Sequence, residues 1–223
     1  MFKAGIDQEA VAQMFSQASA QQAEGLRKAV SDVTLKALQG RELTLANIRK
    51  VLETVTQAAT SGAGRNTSPA VDVGELLAKA FAGMDAALLQ AVQAHRKALQ
   101  QFVDQGLALQ ERQMKDALAN IEKMEDVFFA SVGKAAQQAT GALQPAWQQV
   151  LTNMKLKGTD TGAQAASSVE QLMAQAQTAL RQGRAAGLRS AQAMMEGYAT
   201  LVSGVLIGMS EGMQSATPET HNK

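Results

Sequence analysis

Three prolines in 223 residues, Pro69, Pro145 and Pro218, leave long uninterrupted runs rich in Ala, Gln, Leu, Met, Lys and Glu. Those residues favour helix, and no stretch shows the apolar–polar alternation of a half-buried strand. The runs read as amphipathic helices over about 7–39, 44–60, 70–140, 145–156 and 163–215. Apolar residues recur every eleven positions near the C-terminus (Val169, Leu180, Ala191, Val202, Met213) and in the first helix (Phe15, Leu26, Ala37). That period holds a stripe nearly straight, with a slight right-handed drift. The central run is spaced by sevens (Leu107, Met114, Ile121, Phe128, Ala135), as in a coiled coil. A helix of about fifty residues is about 75 Å long. It cannot bury its stripe alone and must pair or lie on an apolar surface. The expected fold is all-α, an elongated antiparallel bundle of long amphipathic helices.

Local signals divide the chain. Asp7 and Thr44 are N-caps, with Ile6/Val11 and Leu43/Ile48 as hydrophobic staples, and Asp72 caps a third helix with Glu75 three residues on. Gly40 suits a helix stop. Ser167/Glu170 and Ser168/Gln171 are overlapping capping boxes for the last helix. The glycine-rich stretch Thr60–Pro69 and the stretch Lys157–Gly162 read as loops. The expected organisation is an N-terminal helical pair (1–60), a loop (61–69), a central helical region (70–156), a second loop (157–162), a C-terminal helix (163–215) and a disordered tail (216–223).

Composition narrows the function. Apolar residues make up 46% of the chain, but only one Trp, one Tyr and six Phe are among them, so the core leans on alanine and is thin. Net charge is +1, which gives no field to draw nucleic acid or anionic substrates. Cysteine is absent, excluding disulfides and thiolate metal sites. The N-terminal residues lack the apolar run of a secretory signal, so a cytoplasmic protein is expected.

No enzyme, cofactor or metal site is expected. His95 lies on an apolar stripe between Val92 and Leu99 and reads as a hydrogen-bonded boundary histidine, and His221 lies in the tail. No Glu-x-x-His pair suggests a di-iron bundle, and no Gly-x-Ser-x-Gly elbow occurs. Glu122, Glu125 and Asp126 read as a solvated helix face beside Lys115 and Lys123.

The most distinctive stretch is a small-residue ladder: Thr200, Gly204, Gly208, Gly212 and Ala216, every fourth residue. Glycine inside a helix costs about 1 kcal/mol relative to alanine, so the ladder is a candidate close-packing face for another helix or an apolar phase. The segment Gly197–Ser210 is uncharged but too short to span a bilayer, which needs about 20 residues. Candidate apolar-surface contacts are Trp147, Tyr198, Leu201, Val202, Val205, Leu206 and Met209. Arg181, Arg184 and Arg189 precede the segment as a candidate cationic flank.

Long Ala/Gln-rich amphipathic helices, few aromatics and no cysteine resemble phasins, bacterial proteins that coat polyhydroxyalkanoate granules. The match in texture is best over residues 102–118, Phe102-Val-Asp-Gln-Gly-Leu-Ala-Leu-Gln-Glu-Arg-Gln-Met-Lys-Asp-Ala-Leu118, and extends over about 72–156. The glycine-laddered C-terminal helix departs from phasins, and the pattern equally suits a separate family of helical proteobacterial proteins. The resemblance implies a non-catalytic granule-surface protein. The alternatives are a self-associating helical scaffold, or a membrane-active protein that inserts residues 197–210.

Overall fold

The computed structural model describes residues 6–18, 23–40, 42–68, 71–104, 111–181 and 202–209. The described residues form an all-α bundle. Its helices are α1 (Gln8–Ser16), α2 (Ala23–Gln39), α3 (Leu45–Arg65), α4 (Val73–Asp104), α5 (Glu111–Gln137), α6 (Leu143–Lys157) and α7 (Asp160–Arg181). A further helical run covers 202–209. Their apolar faces meet in one core that extends from Val11 to Leu206.

Helix α4 lies at the centre, against α2, α3, α5, α6 and α7. Two interleaved registers explain why it can. Leu77, Phe81, Leu88, Val92 and Leu99 form a large apolar stripe; Ala80, Ala87, Ala91, Ala94 and Ala98 form a small one beside it, and all are buried. A helix apolar on so much of its girth must be covered on several sides. The small stripe lets neighbouring backbones come close. Gly83 does the same towards α2: a Cβ there would lie 2.6 Å from the Arg27 carbonyl oxygen.

The helices are shorter than their stripes suggest, because the chain folds back. The expected helix 70–140 is two helices. The rings of Phe81 on α4 and Phe128 on α5 stack at 4.4 Å, whereas one continuous helix would hold them about 70 Å apart. Ile121, Phe128 and Ala135 of the sevenfold series are buried as expected; Leu107 and Met114 lie outside the described side chains. The expected helix 7–39 is also two, α1 packing mainly on α3 and α2 mainly on α4. A single apolar stripe is indifferent to such a change of partner, so periodicity alone does not reveal it.

The loop expected at Thr60–Pro69 is helical as far as Arg65. Gly62 serves a helix crossing, not a turn. A Cβ at Gly62 would collide with the Ala12 carbonyl oxygen and lie 2.6 Å from the Phe15 Cβ. Asn66 then ends α3, and its Nδ2 donates to the Phe15 carbonyl at 2.9 Å and the Ala18 carbonyl at 3.0 Å. One side chain thus caps α1 from the end of α3.

The expected N-caps at Asp7 and Thr44 are present: Asp7 Oδ1 accepts from Ala10 N at 3.0 Å and Thr44 Oγ1 from Asn47 N at 3.2 Å. Asp72 Oδ1 accepts from Gly74 N at 2.7 Å ahead of α4. The last helix starts earlier than expected. Gly158, at φ +76°, ends α6, and Thr159 caps α7, so Ser167 and Ser168 lie inside it. The tail from 216 onward lies outside the described residues.

Two glycine substitutions should separate packing from propensity. Gly62→Ala should lower stability by about 1–3 kcal/mol through overpacking. Gly25→Ala, on α2 with nothing within 4 Å of the added Cβ, should raise it by up to about 1 kcal/mol. Urea unfolding monitored by circular dichroism reads both.

Candidate functional site

The candidate residues fall in two regions, the C-terminal segment and the buried polar groups of the bundle. In the first, Val202 and Leu206 are fully buried, with Val205 and Met209 partly buried against the core. Within the bundle these four pack on protein, Val205 and Met209 only in part. On the other side of this helical run Gly204 and Gly208 are exposed, and a Cβ on either meets nothing within 4 Å. Among the described residues the ladder packs on nothing at these two rungs. Thr200, Gly212 and Ala216 lie outside the described residues, as do Tyr198, Leu201, Arg184, Arg189 and the side chain of Arg181.

Trp147 corrects the expectation of a surface anchor. It is fully buried, and its Nε1–H donates to Thr60 Oγ1 at 2.8 Å. Thr60 Oγ1 donates in turn to the Thr56 carbonyl at 2.7 Å, and Thr56 Oγ1 to the Leu52 carbonyl at 2.8 Å. Threonines at i and i+4 turn their hydroxyls back on the helix, which removes the cost of burying them. The indole is a core plug between α6 and α3, with its polar edge satisfied.

Asp85 is a group the apolar pattern hides. It follows Met84 within the buried stripe and is 8% exposed. Its carboxylate faces the start of α7: Oδ2 accepts from Asp160 N at 3.0 Å and Oδ1 from Thr161 N at 3.1 Å. Thr161 Oγ1 donates to the Asp85 carbonyl at 3.1 Å. Thr159 Oγ1 accepts from Gly162 N at 2.9 Å and donates to Glu125 Oε1. The Ala163 N–H reaches the Thr159 carbonyl at 3.1 Å. The Asp160, Thr161 and Gly162 N–H groups at the start of α7, orphans in an isolated helix, are thus all taken, two of them by a carboxylate from another helix. Glu125 accordingly serves α7 and is not only part of a solvated face. Burial pushes the Asp85 carboxyl above its usual range; the bonds from Thr161 and Asp160 oppose this without cancelling it. A carboxylate inside an apolar stripe was the available sequence signal, since such a group needs donors to be buried.

His95 is buried in α4, not at a boundary, with 3% exposure. Burial lowers its pKa to about 4, and the hydrogen bond its ring N–H donates to the Leu43 carbonyl opposes the shift. Leu43 belongs to the corner between α2 and α3.

Among the described residues no group of three or more His, Asp or Glu side chains is arranged to hold a metal ion. No described helix is long and apolar enough to cross a membrane. A shallow groove of about 280 Å³ is lined by Gln57, Thr60, Ser61, Gly64, Gln138 and Leu143 among others. Its lining is uncharged and offers no general acid or base.

A family match spans residues 1–215. The chain belongs to the family of unknown function DUF6781. No curated protein and no solved structure matches it. Membership in DUF6781 leaves the phasin resemblance where the residues put it, as a likeness of composition and helix pattern.

Two variants test the buried polar groups. Asp85→Ala strands the Asp160 and Thr161 amides and should cost about 1–3 kcal/mol. For His95 the folded pKa lies below the unfolded value of 6.5. Its contribution is complete above pH 6.5 and is lost as pH falls towards about 4, by up to about 3 kcal/mol. Asp85, shifted up, acts in the opposite sense: its contribution is present at low pH and lost as pH rises through its folded value. Urea midpoints between neutral and acid pH should fall in the wild type, and His95→Gln should remove that fall.

Proposed function

We propose that this member of DUF6781 is a non-catalytic amphipathic helical protein that coats an apolar surface, in the manner of granule-coating phasins. The supporting observation is how the helices hold together. All the described helices contribute to one shared core, the central helix carries an alanine stripe beside its large apolar one, and no disulfide staples the bundle. Faces that cover each other in this way can be covered equally well by an apolar phase, because apolar burial is non-directional. Opening gives up apolar contacts within the bundle and regains apolar area on the surface.

Leu156 offers a foothold before opening. It is 82% exposed and stands between Lys155 and Lys157, whose long stems can lie along an apolar boundary with their charges in water. The role implies a cytoplasmic protein on a polyhydroxyalkanoate granule or a lipid surface, with no nucleic-acid partner. Purified protein should move from solution onto polymer particles or oil droplets, while an unrelated helical control stays behind. Leu156→Glu should weaken that binding by about tenfold, the worth of one buried leucine, without changing the melting temperature. Equal partitioning of protein and control would refute the reading.

The exposed Gly204 and Gly208 favour a second reading, a scaffold that self-associates through the ladder. Gly208 meets no neighbour among the described residues, so Gly208→Leu should leave the fold intact and reduce the oligomeric mass in light scattering. An unchanged mass would remove this reading.

A further inference from the structure

We propose that α1 is an exchangeable plug: it leaves the socket on its own α3 and seats in the same socket on a second copy, so that two chains link by trading identical helices. The inference stands apart from the surface role and from self-association through the glycine ladder, since it uses neither Leu156 nor residues 200–216. It rests on how α1 is held. Among the described residues three ties position it, and all run to the C-terminal end of α3. Gly62 leaves a notch that the Ala12 carbonyl and the Phe15 Cβ fill. Asn66 Nδ2 donates to the Phe15 carbonyl at 2.9 Å and the Ala18 carbonyl at 3.0 Å. Arg65 Nη1 pairs with Glu9 Oε1 at 2.7 Å.

These ties define what fits the socket. The notch at Gly62 admits a helix backbone, because no side chain stands in its way. Asn66 satisfies two carbonyls at a helix end, groups that have no partner within their own helix. Arg65 selects a carboxylate on that same helix. Glu9, Ala12, Phe15 and Ala18 meet all three demands at a spacing of three residues. Any second copy of the chain carries the same four.

Nothing in these contacts requires α1 and its socket to share a chain. Helix α1 packs mainly on α3, whereas α2, which follows it, packs mainly on α4. Helix α1 spans nine residues, too few to hold as a helix unsupported. Out of its socket it exposes Val11 and Phe15 to water, both buried in the closed form. Plug and socket then each need a partner. Reseating on the chain's own α3 and on a neighbour's restores the same bonds and the same buried area. Concentration therefore decides between the two, as for other exchanges of identical elements.

Glu9 and Arg65 let the exchange be read without touching the core, since their side chains are 60% and 52% exposed. Glu9→Arg sets two positive charges against each other in a closed chain, and Arg65→Glu two negative ones. A traded pair with one chain of each kind restores opposite charges at both sockets. Refolded together from urea, the two variants should dimerise about tenfold more tightly than either alone, read by light scattering. About 0.5 M salt should remove most of that gain, and Gly208→Leu in both chains should leave it unchanged. A second measurement serves if either variant fails to fold. Arg65→Lys keeps the ion pair and lets a carbodiimide join it covalently to Glu9. Isotope-labelled and unlabelled chains of this variant, refolded together at high concentration, should give cross-links between positions 9 and 65 that mix the two labels. Cross-links confined to one label would overturn the proposal. So would a mixture no more dimeric than its components, or a gain abolished by Gly208→Leu.

Discussion

A helix that is apolar around most of its girth has no solvent face to rest on, so its neighbours must be placed to cover it. Helix α4 imposes that requirement here. Its large stripe needs bulky partners such as Phe128, and its alanine stripe needs backbones brought close. Cover on several sides cannot come from one extended antiparallel partner. It requires the chain to double back repeatedly, and this turns the long runs of helix-forming sequence into shorter pieces. Glycines at the crossings follow from the same demand, since Gly62 and Gly83 sit where a methyl group would meet a neighbouring backbone.

The fold class was legible because periodicity and helix propensity both survive without tertiary context. The caps at Asp7 and Thr44 were legible for a related reason: a capping bond spans three residues and needs nothing from elsewhere. The breaks were not. Gly62 looks like a loop residue until α1 is seen against it, because the same absence of a side chain serves a turn and a crossing. Phe81 and Phe128 read as one stripe on one rod, although they belong to two helices packed on each other. The buried polar groups show the same limit. Trp147 reads in the sequence as an apolar-surface contact, and its partner Thr60, eighty-seven residues away, cannot be inferred from spacing. The role of Asp85 is hidden because its donors, Asp160 and Thr161, come from the start of α7, more than seventy residues away.

Function follows from this economy of contact only in outline. The bundle hides its large apolar side chains well, with Leu156, Met173 and Ile207 among those left exposed. A coat protein of this construction would store its sticky faces against one another and redeploy them when a larger apolar area is offered. The carboxylate and imidazole on α4 fit such a protein, since polar groups inside a core cost stability and make registers distinct. In the proposed coat protein they would give the stored form a defined structure.

The buried indole has a practical consequence. Trp147 is the one tryptophan in the chain, and its ring is sealed at the seam of α6 and the C-terminal end of α3. Its fluorescence is therefore a built-in reporter for that seam alone. The α2–α3 corner lies at the opposite end of α3, about 24 Å away along the helix axis. Emission that stays blue while a distant part of the bundle gains solvent, and reddens only when the whole assembly comes apart, would let a single optical channel distinguish partial loosening from complete dispersal.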